Sequence, residues 1–118
     1  MGKPHSLVKS FQFAFEGIAT ALKEGRNFRI QFILGVLAAV LAFILKFSAA
    51  EWAILVIIIS SVLILELINT SLESMVDMVS PEVRPEAKTA KDVAAASVLI
   101  ASIASVAVAI FLFLPKMF

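Results

Sequence analysis

No cysteine occurs in the 118 residues, which excludes disulfide bonds, a thiol nucleophile and zinc–thiolate sites. The single histidine, His5, stands near the N-terminus, with no serine at a depth suited to a nucleophilic pair, and is expected to be inert. Glycine is scarce. Gly2, Gly17, Gly25 and Gly35 form neither GxxxxGK[ST] nor GxGxxG, so a bound nucleotide would not be cradled by glycine backbone. Charge is scarce as well: 16% of residues are charged, against about 25% in ordinary soluble domains, too few to coat a water-exposed surface. The N-terminal region also lacks the unbroken apolar stretch of a secretory signal peptide, because Lys9, Glu16 and Lys23 interrupt it. The N-terminus is therefore expected to be retained.

What is present is sequence compatible with hydrocarbon: 61% hydrophobic residues, a net charge of +1 and a mean hydropathy of +1.02. Ile30 to Leu45 is apolar except for Gln31 and, with Phe28 and Phe47, approaches the ~20 residues that span about 30 Å of bilayer core. A second apolar run begins at Trp52 and continues to Leu65, then admits Glu66, Asn69, Glu73 and Asp77 before Ser80 and Pro81. Pro81 and Pro85 bracket a connecting loop predicted over residues 80–87, because the residue before a proline is pushed out of the helical region. A third run extends from about Asp92 to Leu114. Ahead of all three, Phe11, Phe15, Ile18 and Leu22 recur at helical spacing opposite Lys9, Gln12, Glu16 and Lys23, the pattern of a helix lying on a membrane surface.

The predicted fold is an all-α integral membrane protein with an N-terminal amphipathic surface helix plus three transmembrane helices. It forms a single domain over residues 1–118, with the surface helix at about 5–26 and spans at about 28–47, 51–79 and 92–114. Lys3, Lys9, Lys23, Arg26 and Arg29 precede the first span, and Arg84, Lys88 and Lys91 surround the second connection, whereas the first connection holds only Lys46. The positive-inside rule then places the N-terminus and the loop at 80–87 in the cytoplasm and the C-terminus outside. Lys3, Lys9 and Lys116 read as headgroup contacts, and Glu82 and Glu86 as a solvated loop.

Glu66, Asn69, Glu73 and Asp77 follow one another at spacings of three, four and four, which holds them within roughly 80° of arc on one helix face. Glu66 lies about 21 Å along the helix from Trp52, which suits the outer interface. Carboxylates at membrane depth face a protein interior or an aqueous cavity, and a row of them calls for protons or a cation opposite. Mg²⁺ typically takes one or two carboxylates together with waters and phosphates. Lys88 and Lys91, beside Asp92 at the same level, are suited to phosphate oxygens as flexible point charges. Two functions of different class fit: a phosphoryl-transfer enzyme, and a proton-coupled transporter or channel subunit using the same carboxylates. A small assembly protein without activity accounts poorly for aligned acids, and no nucleic-acid partner is expected. Three spans enclose little volume, so the polar site is expected to be sheltered between subunits of a homo-oligomer.

The segments ELINTSLESMVD from Glu66 to Asp77 and AKTAKDVAA from Ala87 to Ala95 resemble the prokaryotic diacylglycerol kinase family. SFQFAFEG from Ser10 to Gly17 and EGRNFRI from Glu24 to Ile30 extend the likeness over essentially the whole chain. Within the family, the short PEAKTAKD form from Pro85 to Asp92 and the NFRI segment are most similar to the undecaprenol kinase branch. The chain departs from that branch at Gln31, where histidine is frequent, and at Ala96-Ser97, where Gly-Ala is common. The resemblance implies a homotrimeric enzyme of the bacterial cytoplasmic (inner) membrane, with its active site facing the cytoplasm. It would transfer the γ-phosphate of MgATP to a membrane lipid alcohol, undecaprenol or alternatively diacylglycerol. It further implies that Glu66 is the general base, that Asn69 orients the reacting groups, and that Glu73 with Glu24 holds Mg²⁺. Asp77 would support the metal and nucleotide end, Lys91, Lys88 and Asp92 would contact ATP, and Gln12, Glu16 and Gly17 would close over the nucleotide.

Overall fold

The computed structural model describes residues 6–82 and 84–118; Lys3, His5 and the expected start of the surface helix at position 5 lie outside the described residues. Four helices follow in order: α1 (Leu7–Glu24), α2 (Arg26–Ile44), α3 (Ala49–Val79) and α4 (Pro85–Met117), with no strand among the described residues. Helices α2, α3 and α4 are each long and apolar enough to cross a membrane. At 1.5 Å per residue α3 is about 46 Å long, well beyond a hydrocarbon core of about 30 Å. Its apolar N-terminal part is sufficient to span, so the turns carrying Glu73 and Asp77 extend toward water.

Local chemistry sets the ends. Ser6 caps α1, its Oγ accepting from the Lys9 N–H at 3.2 Å. Between α2 and α3 the chain reverses at Lys46, whose φ of 58° lies in the left-handed region. The Lys46 N–H donates to Phe43 O at 3.2 Å and the Phe47 N–H to Ala42 O at 3.1 Å, the paired closing bonds of a Schellman motif, with Phe47 packed over the last turn it terminates. Ser48 and Glu51 then form a reciprocal capping box that starts α3. The connection between α3 and α4 is shorter than the predicted loop at 80–87. Pro85 opens α4 as its first residue, a position where proline's fixed φ is helical and its missing N–H costs nothing. Lys88, Lys91 and Asp92 therefore stand on the first two turns of α4, preceding the apolar stretch.

Helices α3 and α4 form the main antiparallel pair, α2 packs on α3, and α1 packs on α2. The densest packing lies at the end of the bundle remote from the carboxylates, where Ala42, with no exposed surface, meets Phe47, Leu55, Leu112 and Phe113. The Phe47 ring stands 4.9 Å from that of Phe113 and 6.2 Å from that of Trp52. Lys116 closes this end, its Nζ 3.0 Å from Glu51 Oε1 and 6.0 Å from the Phe47 ring centre. Most large apolar side chains elsewhere remain uncovered by the chain itself, as suits helices solvated by lipid. Phe11 and Phe15 of α1 are among them. Since Ala42 is fully enclosed by its packed neighbours, Ala42→Leu should destabilise the fold by about 1–3 kcal/mol. Thermal unfolding in detergent micelles would show it, with helix content retained at low temperature.

Candidate functional site

Along α3 the buried positions are Leu55, Val62, Glu66 and Asn69, spaced seven, four and three, so one helix face is core throughout while its chemistry changes at Glu66. Glu66 and Asn69 are 6% and 8% exposed, whereas Glu73 and Asp77 further along the same stripe are open. The Asn69 amide donates from Nδ2 to Glu73 Oε1 at 3.2 Å, tying the buried part of the stripe to its exposed part. Its Oδ1 is buried and accepts no hydrogen bond among the described residues. Thr70 satisfies its own hydroxyl on the Glu66 carbonyl at 3.0 Å.

This stripe forms one wall of a cavity of about 970 Å³. The opposite wall is the inner side of α1, including Gly17 and Glu24, and the corner between α1 and α2 completes it with Arg26 and Asn27. The cavity thus brings Glu24, Glu66, Asn69 and Glu73 together from two helices distant in sequence. Arg26 and Asn27 enter the same lining; the sequence marked Arg26 only as a cytoplasmic charge and Asn27 only within the NFRI segment. The usable signal was their place immediately after Glu24, where the chain must turn from the surface into the first span.

Asp77, Lys88, Lys91 and Asp92 line a second, smaller cavity of about 250 Å³ between the end of α3 and the start of α4. There Lys91 Nζ lies 2.7 Å from Asp77 Oδ1, linking the two helices, and Lys88 Nζ lies 2.6 Å from Asp92 Oδ2 one turn along α4. Both pairs are solvent-exposed, so each cation can exchange its carboxylate for another anion at little cost. The expected stripe is therefore divided, with a buried acid–amide centre in one cavity and paired lysines in the next. Gln12 and Glu16 line neither; Gln12 Nε2 donates to Glu16 Oε1 at 3.4 Å on the exposed side of α1.

Among the described residues no group of three acidic or histidine side chains forms a metal cage. Glu24 and Glu73 face one cavity from two helices, a two-carboxylate donor set that fits Mg²⁺ completed by water and phosphate oxygens.

A family model described as prokaryotic diacylglycerol kinase matches residues 12–113. The chain is similar to a diacylglycerol kinase of Synechocystis sp., 42% identical over 113 residues, covering 95% of this chain and 65% of that protein. It is also similar to the undecaprenol kinase of Bacillus subtilis, 34% identical over 109 residues, covering 92% of this chain and 89% of that protein. A diacylglycerol kinase of Helicobacter pylori is 37% identical over 94 residues, which cover 80% of this chain and 73% of that protein.

Two glycines at this site should respond oppositely to an added methyl group. At Gly17 a Cβ meets nothing within 4 Å, so Gly17→Ala should stabilise α1 by about 0.5–1 kcal/mol. At Gly25 a Cβ would stand 2.7 Å from Ala21 O, so Gly25→Ala should force the corner open and lower stability. Paired melting curves in detergent would show shifts of opposite sign.

Proposed function

As the chain belongs to the prokaryotic diacylglycerol kinase family, we propose that it is a lipid kinase transferring the γ-phosphate of MgATP to the hydroxyl of a membrane lipid alcohol, with undecaprenol as the preferred acceptor. The observation that carries this reading is the single cavity in which buried Glu66 and Asn69 adjoin the more open Glu73 and Glu24. A lipid hydroxyl arrives from the hydrocarbon side and a nucleotide from water, and α3 is the element that passes between the two.

Glu66, deepest of the carboxylates, accepts the hydroxyl proton as the new O–P bond forms and the bond from the γ-phosphorus to the bridging oxygen of ADP breaks. Asn69 holds Glu73 through its amide N–H and offers Oδ1, an acceptor with no partner in the chain, to the attacking hydroxyl. Glu24 and Glu73 would hold Mg²⁺, which would neutralise phosphate charge there. Asp77, Lys88, Lys91 and Asp92 receive the nucleotide end, with Lys91 leaving Asp77 for a phosphate oxygen. Gln12 and Glu16, five residues and one residue before Gly17 on α1, close over the nucleotide. The excess of lysine and arginine at this end supports an orientation in which the site faces the cytoplasm from a multi-pass bacterial inner-membrane protein. The homotrimer implied by the family resemblance would let neighbouring chains complete the open flank of the cavity.

Undecaprenol is favoured over diacylglycerol by the NFRI and PEAKTAKD segments and by the near full-length match to the Bacillus subtilis undecaprenol kinase. The proton-coupled transporter or channel reading gains no support from any relative.

Phosphate transfer from labelled ATP in mixed micelles, with undecaprenol and diacylglycerol offered in parallel, should label undecaprenol preferentially and only with Mg²⁺ present. Glu66→Gln should cut turnover by at least about 10²-fold while the MgATP-induced rise in melting temperature persists. Glu73→Gln should instead abolish that rise. Equal loss of turnover and binding in both variants would remove the division of roles, and no transfer to either lipid from folded protein would remove the kinase reading itself.

A further inference from the structure

Helix α1 carries one whole wall of the larger cavity, including Glu24, yet its main packing partner is α2 rather than the α3 stripe it faces. Its position over α3 is therefore set mostly at its C-terminal corner. That corner is closed by few interactions. The Gly25 N–H donates to Ala21 O at 2.8 Å, and the Arg29 N–H donates to Gly25 O at 3.0 Å, carrying the chain into α2. The Arg29 side chain then reaches back from the first turns of α2, its Nη1 donating to Leu22 O at 3.0 Å and Lys23 O at 2.8 Å.

Leu22 and Lys23 belong to the last turn of α1, where carbonyls have run out of helical N–H partners. A guanidinium there supplies directed donors and places positive charge at the negative end of the helix dipole. Among the described residues Arg29 forms no ion pair, so these two carbonyls are what its charge serves. The bond joins two helices that meet at a single non-helical residue, Gly25, and thereby fixes the angle between them.

We infer that Arg29 is a positioning residue: by capping α1 it fixes how the surface helix lies over α3, and so sets the approach of Glu24 to Glu73 on which MgATP affinity depends. The first half stands on the corner geometry alone, and only the link to MgATP rests on the kinase reading above. A topological role for the positive charge separates from this one, because Arg29→Lys keeps the charge while its ammonium lacks the planar group that directs Nη1 at both carbonyls and holds them less firmly.

The absence of cysteine allows a direct test. Ser10→Cys on α1 and Met78→Cys on α3, both at exposed positions, would carry a pair of spin labels. The labelled chain is diluted into an excess of unlabelled chain so that measured pairs lie within one molecule. Arg29→Gln should shift or broaden the label distance and raise the KM for MgATP about tenfold, the scale of one charge-assisted hydrogen bond, while kcat at saturating MgATP stays within about twofold. Arg29→Lys should recover part of both effects. A lowered melting temperature in Arg29→Gln with unchanged label distance and unchanged KM would mean a merely structural role and would overturn the inference, as would loss of kcat at constant KM. Should the unsubstituted chain phosphorylate neither lipid, the kinase reading fails, and the label distance alone decides whether Arg29 sets the helix angle.

Discussion

A carboxylate held within the hydrocarbon layer is costly unless its charge is neutralised or solvated by the protein, and α3 places Glu66 where that cost applies. Much of the lower bundle follows from this one constraint. The face of α3 that buries Leu55 and Val62 among apolar neighbours is the face that must receive Glu66 and Asn69 one and two turns further on, so the packing has to open there instead of closing. The cavity of about 970 Å³ is that opening, and its lining includes polar residues such as Glu24, Arg26, Asn27 and Thr70 that lipid cannot offer. At the other end of the molecule no such demand exists, and the helices close on Ala42, Phe47 and Phe113 with the Glu51–Lys116 pair at the rim. One end can be tight because the other must be open.

The hydrogen bond from Asn69 to Glu73 gives the stripe a direction. An amide between two carboxylates separates like charges without adding one of its own, and its donor side is committed to the more exposed acid. That leaves its acceptor side toward the buried end, where a hydroxyl is the complementary group. The two acids thereby become unequal: Glu66 is enclosed, while Glu73 is open to solvent. The lysines stand in their own cavity, paired with Asp77 and Asp92. Because those pairs are exposed, each is a weak bond that adds little to stability.

The spans and the acidic stripe were legible in the sequence because each is a periodic pattern on a single helix. Spacings of three and four dictate a shared face whatever surrounds it. What covers that face was not legible from periodicity: the pairing of Glu24 with Glu73 came only through the family resemblance, and the two line one cavity because the chain turns at Gly25. The start of α4 was misplaced for a specific reason: Pro85 reads as a breaker beside Pro81, yet at the first position of a helix proline is favoured. The Schellman turn at Lys46 was equally hidden, because a lysine in the left-handed region leaves none of the glycine signature that usually marks such an end. Arg29 counted toward orientation from its charge alone, and its bonds to Leu22 and Lys23 exist only once α1 and α2 have turned against each other.

A phosphoryl-transfer site at a membrane surface faces two approaches that a soluble enzyme does not, since its acceptor stays in lipid and its donor stays in water. Soluble nucleotide sites commonly hold phosphates with backbone N–H groups in glycine-rich loops, but irregular backbone of that kind is poorly tolerated at a lipid boundary. This chain keeps its reactive groups on helices, whose backbone bonds are satisfied internally, and leaves recognition to side chains. The remaining wall must then be another helix able to lie along the interface, and α1 has the apolar residues and the Gly25–Arg29 corner to do so. The scarcity of glycine and the presence of α1 fit together in this sense: polar groups are presented by helices, and a helix held at its corner by Arg29 supplies the remaining wall.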